Sequence, residues 1–191
     1  MELIDTIKKD LKETLSERRY IHSIGVMEMC AKLAQIYGVD VQKAQIAGLL
    51  HDIAKEMPKE EMFKYVKENN IEITEIEKIS YQLLHGKIGA DIAKKKYGLD
   101  EQIQNAIKYH TTTSPEMDTL AKIVYVSDKI EMNRKSEGYD LEYERELAQK
   151  DLDKTVLYII DASIKSLVEK GKLIEKEVDT RNYLILKSLK V

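Results

Sequence analysis

The sequence predicts an all-α protein folded as a single domain, and three observations lead to that prediction. Apolar residues recur with a helical period of about 3.6 along the whole chain, whereas the alternation typical of strands is scarce. Only two prolines and eight glycines interrupt the 191 residues. A chain of this length can bury one sizeable core but is short for two full domains. We therefore expect residues 1–191 to form one helical bundle with almost no strand.

The N-terminal part of the chain is expected to form a series of amphipathic helices. The first carries a stripe of apolar residues at helical spacing: Ile4, Ile7, Leu11 and Leu15. The second ends at Gly38, because glycine suits the position that follows a helix. Asp40 is expected to cap a third helix that runs to Ala54, and Pro58 to open a fourth that ends at Asn69-Asn70.

The middle of the chain continues this pattern. A helix is expected to end before Gly98, and Asp100 to cap the next one, which runs to about His110. The polar run 111–115 is predicted to be a loop, because the residue before Pro115 is driven out of the helical region.

The C-terminal part is expected to hold three more helices. Asp118 caps a helix that runs to about Met132, and Ser136-Glu137-Gly138 breaks the chain. One long helix then fills roughly 144 to 170, and Asp179 caps a short last helix. The charged run 142–146 is expected to form a solvated face.

Composition and charge exclude several classes of protein. Lys and Arg number 31 against 34 Asp and Glu, a net charge of −3 that argues against a nucleic-acid partner. No apolar run approaches the roughly 18 residues of a membrane span, and Met1–Asp5 has no signal-peptide character. The single cysteine, Cys30, excludes a disulfide framework and a four-cysteine metal site. We expect a cytoplasmic protein with no membrane and no nucleic-acid partner.

Histidine and aspartate residues form a candidate metal site. His51-Asp52 ends the apolar stretch 47–50, and burying an unpaired carboxylate beside an imidazole is costly. A divalent cation would compensate both groups, since imidazole and carboxylate are ordinary ligands of iron, manganese and zinc. Asp128 likewise ends an apolar stretch, 123–126. The alternatives are a packed histidine and, for Asp128, a helix cap or a surface ion pair.

Basic residues accompany these candidate ligands. Arg18 and Arg19 precede His22 by four and three residues, so a helix places them on its face. Lys55 follows His51 and Asp52 at the same kind of spacing. Cations beside metal ligands favour a phosphate-containing ligand.

The order His22, His51-Asp52 and Asp128 resembles the HD superfamily of metal-dependent phosphohydrolases, and His85 with His110 resembles its subset that holds two metal ions. More closely, the chain resembles the bacterial YqeK-type symmetrical bis(5′-nucleosyl)-tetraphosphatases. Six stretches carry that similarity: 18–26, 48–55, 84–86, 107–112, 127–130 and 179–182.

The resemblance implies an HD-domain bundle with the metal site in its core, at about 17–135, and with C-terminal helices 144–191 completing a nucleotide pocket. It implies hydrolysis of diadenosine tetraphosphate to two ADP, with a metal-activated hydroxide as the nucleophile. Two divalent or trivalent ions are expected, with iron favoured and manganese or zinc as alternatives. The expected metal ligands are His22, His51, Asp52 and Asp128 for the first ion, and Asp52, His85 and His110 for the second.

Roles in catalysis and phosphate binding are also expected. The expected catalytic residues are Asp52, Lys55 and His110; the expected phosphate contacts are Arg19, His22, Lys55 and Arg134. Solvated helix surface is the alternative for the basic residues among them. Arg134 lies six residues after Asp128 and reaches the site only if the helix has ended before it. For Arg18 and Lys129 the surface interpretation is favoured.

The adenosine contacts rest on the resemblance of 171–174 and 179–182. The residues expected are Lys172, Leu173, Ile174 and Asn182. A plain loop between two helices is an equal alternative, and the sequence 175–178 stands where a family proline is often expected.

Other functions remain open at this point. The same ligands would serve an HD phosphohydrolase of mononucleotides, deoxynucleotides or guanosine alarmones, or a non-catalytic sensor of nucleotide or metal. Amphipathic helices could also supply a homodimer interface, because a sequence does not separate an interface stripe from a core stripe.

Overall fold

The computed structural model describes residues 2–135 and 140–189, and within those ranges the chain is helical with no strand. The helices are α1 Glu2–Thr14, α2 Glu17–Tyr37, α3 Val41–Leu50, α4 Lys59–Glu68, α5 Glu75–Ile79, α6 Leu84–Tyr97, α7 Glu101–Tyr109, α8 Thr119–Ile130, α9 Leu141–Lys150, α10 Leu152–Glu169 and α11 Glu177–Ser188. A 3₁₀ turn, Tyr81–Leu83, precedes α6. The prediction of an all-α fold is confirmed.

The core lies where α2, α3, α7 and α8 pack together. α2 packs on α3 and α8, while α7 packs on α6, α3 and α8. α10 covers α8 and carries α9 and α11 on its other sides. Fully buried side chains fill the centre, including those of Leu33, Leu49, Leu50, Ile107 and Ile123. None of the described helices has the length and apolar character needed to span a membrane.

A glycine allows α2 and α3 to approach closely. A Cβ atom at Gly48 would lie 2.9 Å from the Cys30 sulfur and 3.1 Å from the Met27 Cα atom. Only a residue without a side chain fits this contact without a shift of one helix. The close approach brings His22 of α2 and His51 at the end of α3 to the same point.

The predicted helix ends are confirmed at several positions. Gly38 and Gly98 follow α2 and α6 in the left-handed conformation, with φ of 66° and 64°. The side chains of Asp40, Asp100 and Asp118 accept hydrogen bonds from backbone N–H groups three residues later, as N-caps do.

The predicted third helix is too long, because α3 ends at Leu50 and not at Ala54. His51 is its C-cap, and the chain continues in turns closed by bonds such as Lys55 N–H to the Asp52 carbonyl. His51 Nδ1 donates to the Gly48 carbonyl at 2.7 Å, a local bond that competes with continued helix. His51 and Asp52 therefore lie at the end of the helix and not within it.

The predicted long helix over 144–170 is also wrong. Asp151 has an extended backbone, with φ −152° and ψ 100°, and its side chain caps α10 by accepting from the Lys154 N–H. Aspartate favours this capping geometry over helix interior, so α9 ends and α10 begins there. The predicted break at 136–138 lies outside the described residues. Asp179 lies in the first turn of α11, whose N-cap is Lys176 and not Asp179.

The loop after α7 is strained and fastened to the C-terminal helix. Thr113 is fully buried with a φ of 58°, a conformation that is unfavourable for a β-branched residue. Its hydroxyl donates to the Thr180 hydroxyl oxygen of α11 at 2.9 Å, and Thr180 in turn donates to the Lys176 carbonyl.

Candidate metal centre

The centre is built on His51 and Asp52, which follow α3 directly. His51 is fully buried and Asp52 is 2% exposed. The Gly48 carbonyl can only accept a hydrogen bond, so Nδ1 of His51 carries the proton of that bond and Nε2 faces the interior of the bundle.

The first group of candidate ligands joins three helices. His22 comes from the middle of α2, and its Nε2 lies 3.0 Å from Asp128 Oδ1, in the last turn of α8. The same nitrogen lies 3.3 Å from His51 Nε2 and 3.8 Å from Asp52 Oδ2. His51 Nε2 is 3.4 Å from Asp52 Oδ2 and 3.6 Å from Asp128 Oδ1. Four potential ligand atoms thus converge on one point.

The second group shares Asp52 with the first. His85, near the start of α6, and His110, the C-cap of α7, have their Nε2 atoms 3.0 Å apart. Asp52 Oδ1 lies 3.2 Å from the His85 nitrogen and 3.5 Å from the His110 nitrogen. The other Asp52 oxygen faces His22 and His51, so this carboxylate stands between the two groups.

Backbone carbonyls orient His85 and His110 in the way that Gly48 orients His51. His110 Nδ1 donates to the Ile107 carbonyl at 2.6 Å, and His85 Nδ1 donates to the Gln82 carbonyl. Each Nε2 therefore presents a lone pair to the centre. Two such lone pairs at 3.0 Å repel each other, and a shared cation removes that repulsion.

Burial and charge act differently on the histidines. Burial lowers the pKa of His110 to about 4 and also lowers the pKa of His85, although Asp52 opposes both shifts. Both rings are neutral at physiological pH, which is the form that binds metals. Burial alone would lower the pKa of His51, but Asp52 and Asp128 raise it to about 9. A metal ion competes there with a proton. Each of the two ligand groups combines imidazole nitrogens with a carboxylate, and such a donor set fits transition-metal ions.

Cationic side chains contact both carboxylates. Arg19 Nη1 lies 2.6 Å from Asp52 Oδ2, and Lys55 Nζ lies 3.9 Å from Asp52 Oδ1 and 3.2 Å from His85 Nε2. Burial lowers the pKa of Lys55, against the pull of Asp52. Burial would raise the pKa of Asp52, but His51, His110 and His85 hold it well below its usual value.

Asp128 is contacted by Arg134 and Lys129. α8 ends at Ile130, so Arg134 turns back, with Nε donating to the Asp128 carbonyl and Nη2 to Asp128 Oδ1, both at 2.8 Å. The helix has therefore ended before Arg134, which was the condition for this side chain to reach the site. The surface interpretation of Lys129 is wrong, because its Nζ lies 2.6 Å from Asp128 Oδ2. Arg18 is exposed, as expected.

Sequence reasoning missed two residues that contact the histidines. Glu131 is 1% exposed; its Oε1 lies 3.2 Å from His22 Nδ1, and its Oε2 accepts from the Asn133 N–H. The sequence signal for Glu131 was its position, since it is a carboxylate residue three positions after Asp128. The Thr111 hydroxyl lies 3.2 Å from His85 Nε2 and 3.1 Å from His110 Nε2. Nothing in a polar loop distinguishes that hydroxyl from its neighbours.

An open cleft leads away from the first group. It has a volume of about 530 Å³ and begins at His22 and Glu131. Its other lining residues are mostly basic or polar: Glu17, Arg18, Arg19, Ile21, Asn133, Arg134 and Lys135. A polyanionic ligand suits such a surface.

The residues expected to contact adenosine lie at the C-terminal side of the molecule. Lys172 and Leu173 are exposed in the segment after α10, Ile174 is half-buried, and Asn182 is exposed on α11. No contact in the described structure joins these four residues to the histidines, and their role stays a prediction.

Comparison with known proteins places this arrangement in a family. The HD domain family matches residues 19–133, which contain every candidate metal ligand. A symmetrical bis(5′-nucleosyl)-tetraphosphatase from Bacillus subtilis is 37% identical over 163 residues, covering 85% of this chain and 86% of that protein. A protein of the same name from Staphylococcus aureus is 35% identical over 182 residues, covering 94% and 93%.

A solved structure shows the same fold. The crystal structure described as a predicted HD superfamily hydrolase involved in NAD metabolism, from Clostridium acetobutylicum, matches with a TM-score of 0.91 and 40% identity. The match covers 96% of this chain and 97% of that one. The chain therefore belongs to the HD domain family, in the group that includes the symmetrical bis(5′-nucleosyl)-tetraphosphatases.

Proposed function

We propose that this chain is a metal-dependent hydrolase that cleaves diadenosine tetraphosphate symmetrically to two molecules of ADP. The observation that carries the proposal is the pair of histidine and aspartate groups that share Asp52 and are bordered by Arg19, Lys55, Lys129 and Arg134. Its relatives named symmetrical bis(5′-nucleosyl)-tetraphosphatase support the choice of substrate.

The metal ligands of this proposal fall into two sets. The first is His22, His51, Asp52 and Asp128, and the second is Asp52, His85 and His110. These residues would hold metal ions that, when bound, would lower the pKa of a water molecule and act as Lewis acids toward phosphate oxygens. The donor set suits iron, manganese and zinc, and we favour two iron ions.

The basic residues have the task of holding the phosphate chain. Arg19 and Arg134 offer planar donor groups that match phosphate oxygens, and each already contacts a carboxylate of the centre. Lys55 adds a positive charge beside Asp52 and His85. A tetraphosphate carries several negative charges, so these cations also reduce the repulsion that a nucleophile meets at phosphorus.

Three residues have further roles in this proposal. Asp52 joins the two groups of ligands, so it fixes their separation. Lys55 loses part of its proton affinity through burial, which suits a group that neutralises a leaving diphosphate and then lets it go. His110 stays neutral at its low pKa and remains a ligand across the physiological range.

The remainder of the chain completes the proposed enzyme. The core from about residue 17 to 135 supplies the ligands, and the helices of 144–191 close the nucleotide pocket, because α10 packs on the helix that carries Asp128. Contacts of adenosine with Lys172, Leu173, Ile174 and Asn182 belong to this proposal. A cytoplasmic location and a homodimer are further parts of it.

Product analysis tests the proposal. The protein is loaded with iron, incubated with diadenosine tetraphosphate and analysed by ion-exchange chromatography, with a chelated sample as the control. ADP as the only product, lost on chelation, is the expected result. AMP together with ATP would contradict symmetrical cleavage. Hydrolysis of mononucleotides or guanosine alarmones in its place would favour another HD phosphohydrolase.

A further inference from the structure

A second cavity adjoins the metal centre on the side of α9 and α10. It has a volume of about 260 Å³, and Lys129 and Arg134 form one of its walls. Both of these residues contact Asp128, so a ligand in this cavity lies next to the centre. Lys135 adds a third positive charge to the lining.

The lining of this cavity also holds a buried carboxyl group. The charged run that contains Glu144 was expected to be a solvated face, but Glu144 is 2% exposed, so that expectation is wrong for this residue. Its carboxyl group lines the cavity and makes no hydrogen bond or ion pair within the described parts of the chain. A polar group buried in this way is costly unless a ligand completes its hydrogen bonds.

The rest of the lining is largely apolar. Leu141 of α9 and Ile159 of α10 face the cavity, together with Ser163. Cations, apolar side chains and a single uncommitted carboxyl group match the three parts of a nucleotide: phosphates, the face of the base and its hydrogen-bonding edge.

The protonation of Glu144 decides which hydrogen-bonding groups its carboxyl offers. Burial raises its pKa to about 7; Asp140 raises it further and Arg145 opposes the shift. The charged groups that line the cavity beside it are Lys129, Arg134 and Lys135. A protonated carboxyl group offers one donor and one acceptor. Adenine presents a matching pair, an acceptor at N1 and a donor at the 6-amino group.

We propose that Glu144 recognises the adenine of one half of the substrate, donating to N1 and accepting from the 6-amino group, with Leu141 and Ile159 against the base. This inference rests on the proposed function, since it assigns a base subsite to the same reaction. Glu144 then holds the base and takes no part in the chemistry at phosphorus.

Two substitutions of Glu144 test the proposal in the metal-loaded enzyme. Glu144→Gln keeps one donor and one acceptor, so the KM for diadenosine tetraphosphate should stay within about threefold of the unsubstituted value. Glu144→Leu removes both, so the KM should rise about tenfold or more with kcat within about threefold. Glu142→Leu, on the exposed face of α9, is the matched control and should change neither constant. An unchanged KM in Glu144→Leu, or an equal loss in Glu144→Gln, would overturn the inference.

A binding measurement on the unsubstituted protein does not depend on how the variants fold. Titration calorimetry compares ADP with purine riboside 5′-diphosphate, which lacks the 6-amino group. We expect the second ligand to bind about tenfold more weakly, and equal affinities would refute recognition by Glu144. If diadenosine tetraphosphate is not hydrolysed but ADP still binds more tightly than this analogue, the proposed reaction fails while the base subsite stands.

Discussion

At the scale of single residues, the centre depends on how each imidazole is held. His51, His85 and His110 each donate Nδ1–H to the carbonyl group three residues earlier in the chain. This local bond fixes both the ring plane and the tautomer before any ligand arrives. His22 is the exception, because it lies within a helix and the Glu131 carboxylate faces its Nδ1.

Asp52 is the residue on which both groups of ligands depend. Asp52→Asn removes the negative charge between the four histidines, and a neutral amide is a poor replacement for a carboxylate ligand. We expect turnover to fall about 100-fold or more and the bound metal content to drop. Metal analysis and the product assay measure both. Helical circular dichroism serves as the control for folding, and turnover within tenfold of the unsubstituted enzyme would contradict the shared role.

Glu131 is expected to position His22. Glu131→Gln keeps the size of the side chain but weakens the acceptor that holds the His22 ring, so metal affinity should fall by about 10- to 100-fold. Metal titration under a competing chelator measures the affinity directly. Glu116→Gln, whose carboxylate accepts from the Tyr109 hydroxyl and makes no hydrogen bond to a histidine among the described residues, is the control. Equal affinities of Glu131→Gln and the unsubstituted protein would show that packing alone orients His22.

At the scale of helices, most of the candidate ligands lie at helix ends and not in helix interiors. His51 and His110 are both C-caps, Asp128 lies in a last turn and His85 in a first turn. A helix end frees side chains to point along the axis of the bundle, and four such ends meet here. His22 is the candidate ligand that comes from a helix interior.

The contact of α2 with α3 at Gly48 should be sensitive to one added methyl group. Gly48→Ala places a Cβ atom against the Met27 backbone, which cannot move aside as a side chain could. We expect the free energy of unfolding to fall by about 1–3 kcal/mol, measured by urea denaturation. Gly38→Ala, where a Cβ meets open space, tests backbone strain alone. If Gly48→Ala is as stable as the unsubstituted protein, the helices have room that the structure does not show.

Many helix ends could be predicted from the sequence, because a capping hydrogen bond joins residues that are close together in the chain. Asp40, Asp100 and Asp118 cap helices through bonds to residues three positions away, so a short pattern contains the whole signal. The end of α3 and the break at Asp151 were missed for a related reason. Apolar periodicity continues across both, and the bonds that interrupt the helix compete with it only marginally.

In the candidate site, too, the sequence indicates some residues and not others. Resemblance to the HD superfamily was enough to select the six candidate ligands, and the structure brings their side chains together. The roles of Lys129 and Glu131 depend on how α8 ends, and burial of Glu144 depends on three helices packing around it. Such long-range contacts leave no local pattern.

At the scale of the whole molecule, buried carboxyl groups make stability depend on pH. The folded-state pKa of Glu144, about 7, exceeds its ordinary value of 4.5, so the folded protein holds this proton more tightly than the unfolded chain. Its stabilising contribution is complete below pH 4.5 and is lost as the pH rises through about 7.

Glu144→Gln should remove this dependence. Between pH 5 and pH 8 the unsubstituted protein should lose roughly 3 kcal/mol more in free energy of unfolding than the variant, an upper value set by the shift in pKa. Urea denaturation at both pH values, without added nucleotide, measures the difference. Parallel profiles would show that Glu144 keeps an ordinary pKa in the folded protein.

The hydrogen bond between Thr113 and Thr180 links the loop after His110 to the C-terminal helix α11. Thr113 holds a backbone conformation that costs on the order of 1–3 kcal/mol, and it does so three residues after His110. Its hydroxyl is anchored by α11, so detachment of that helix lets the loop relax to a cheaper conformation. The two movements form one local unfolding event, and backbone amides of 110–113 should exchange with deuterium at the same rate as those of α11. The far C-terminal helix thereby sets the lifetime of an intact second ligand group.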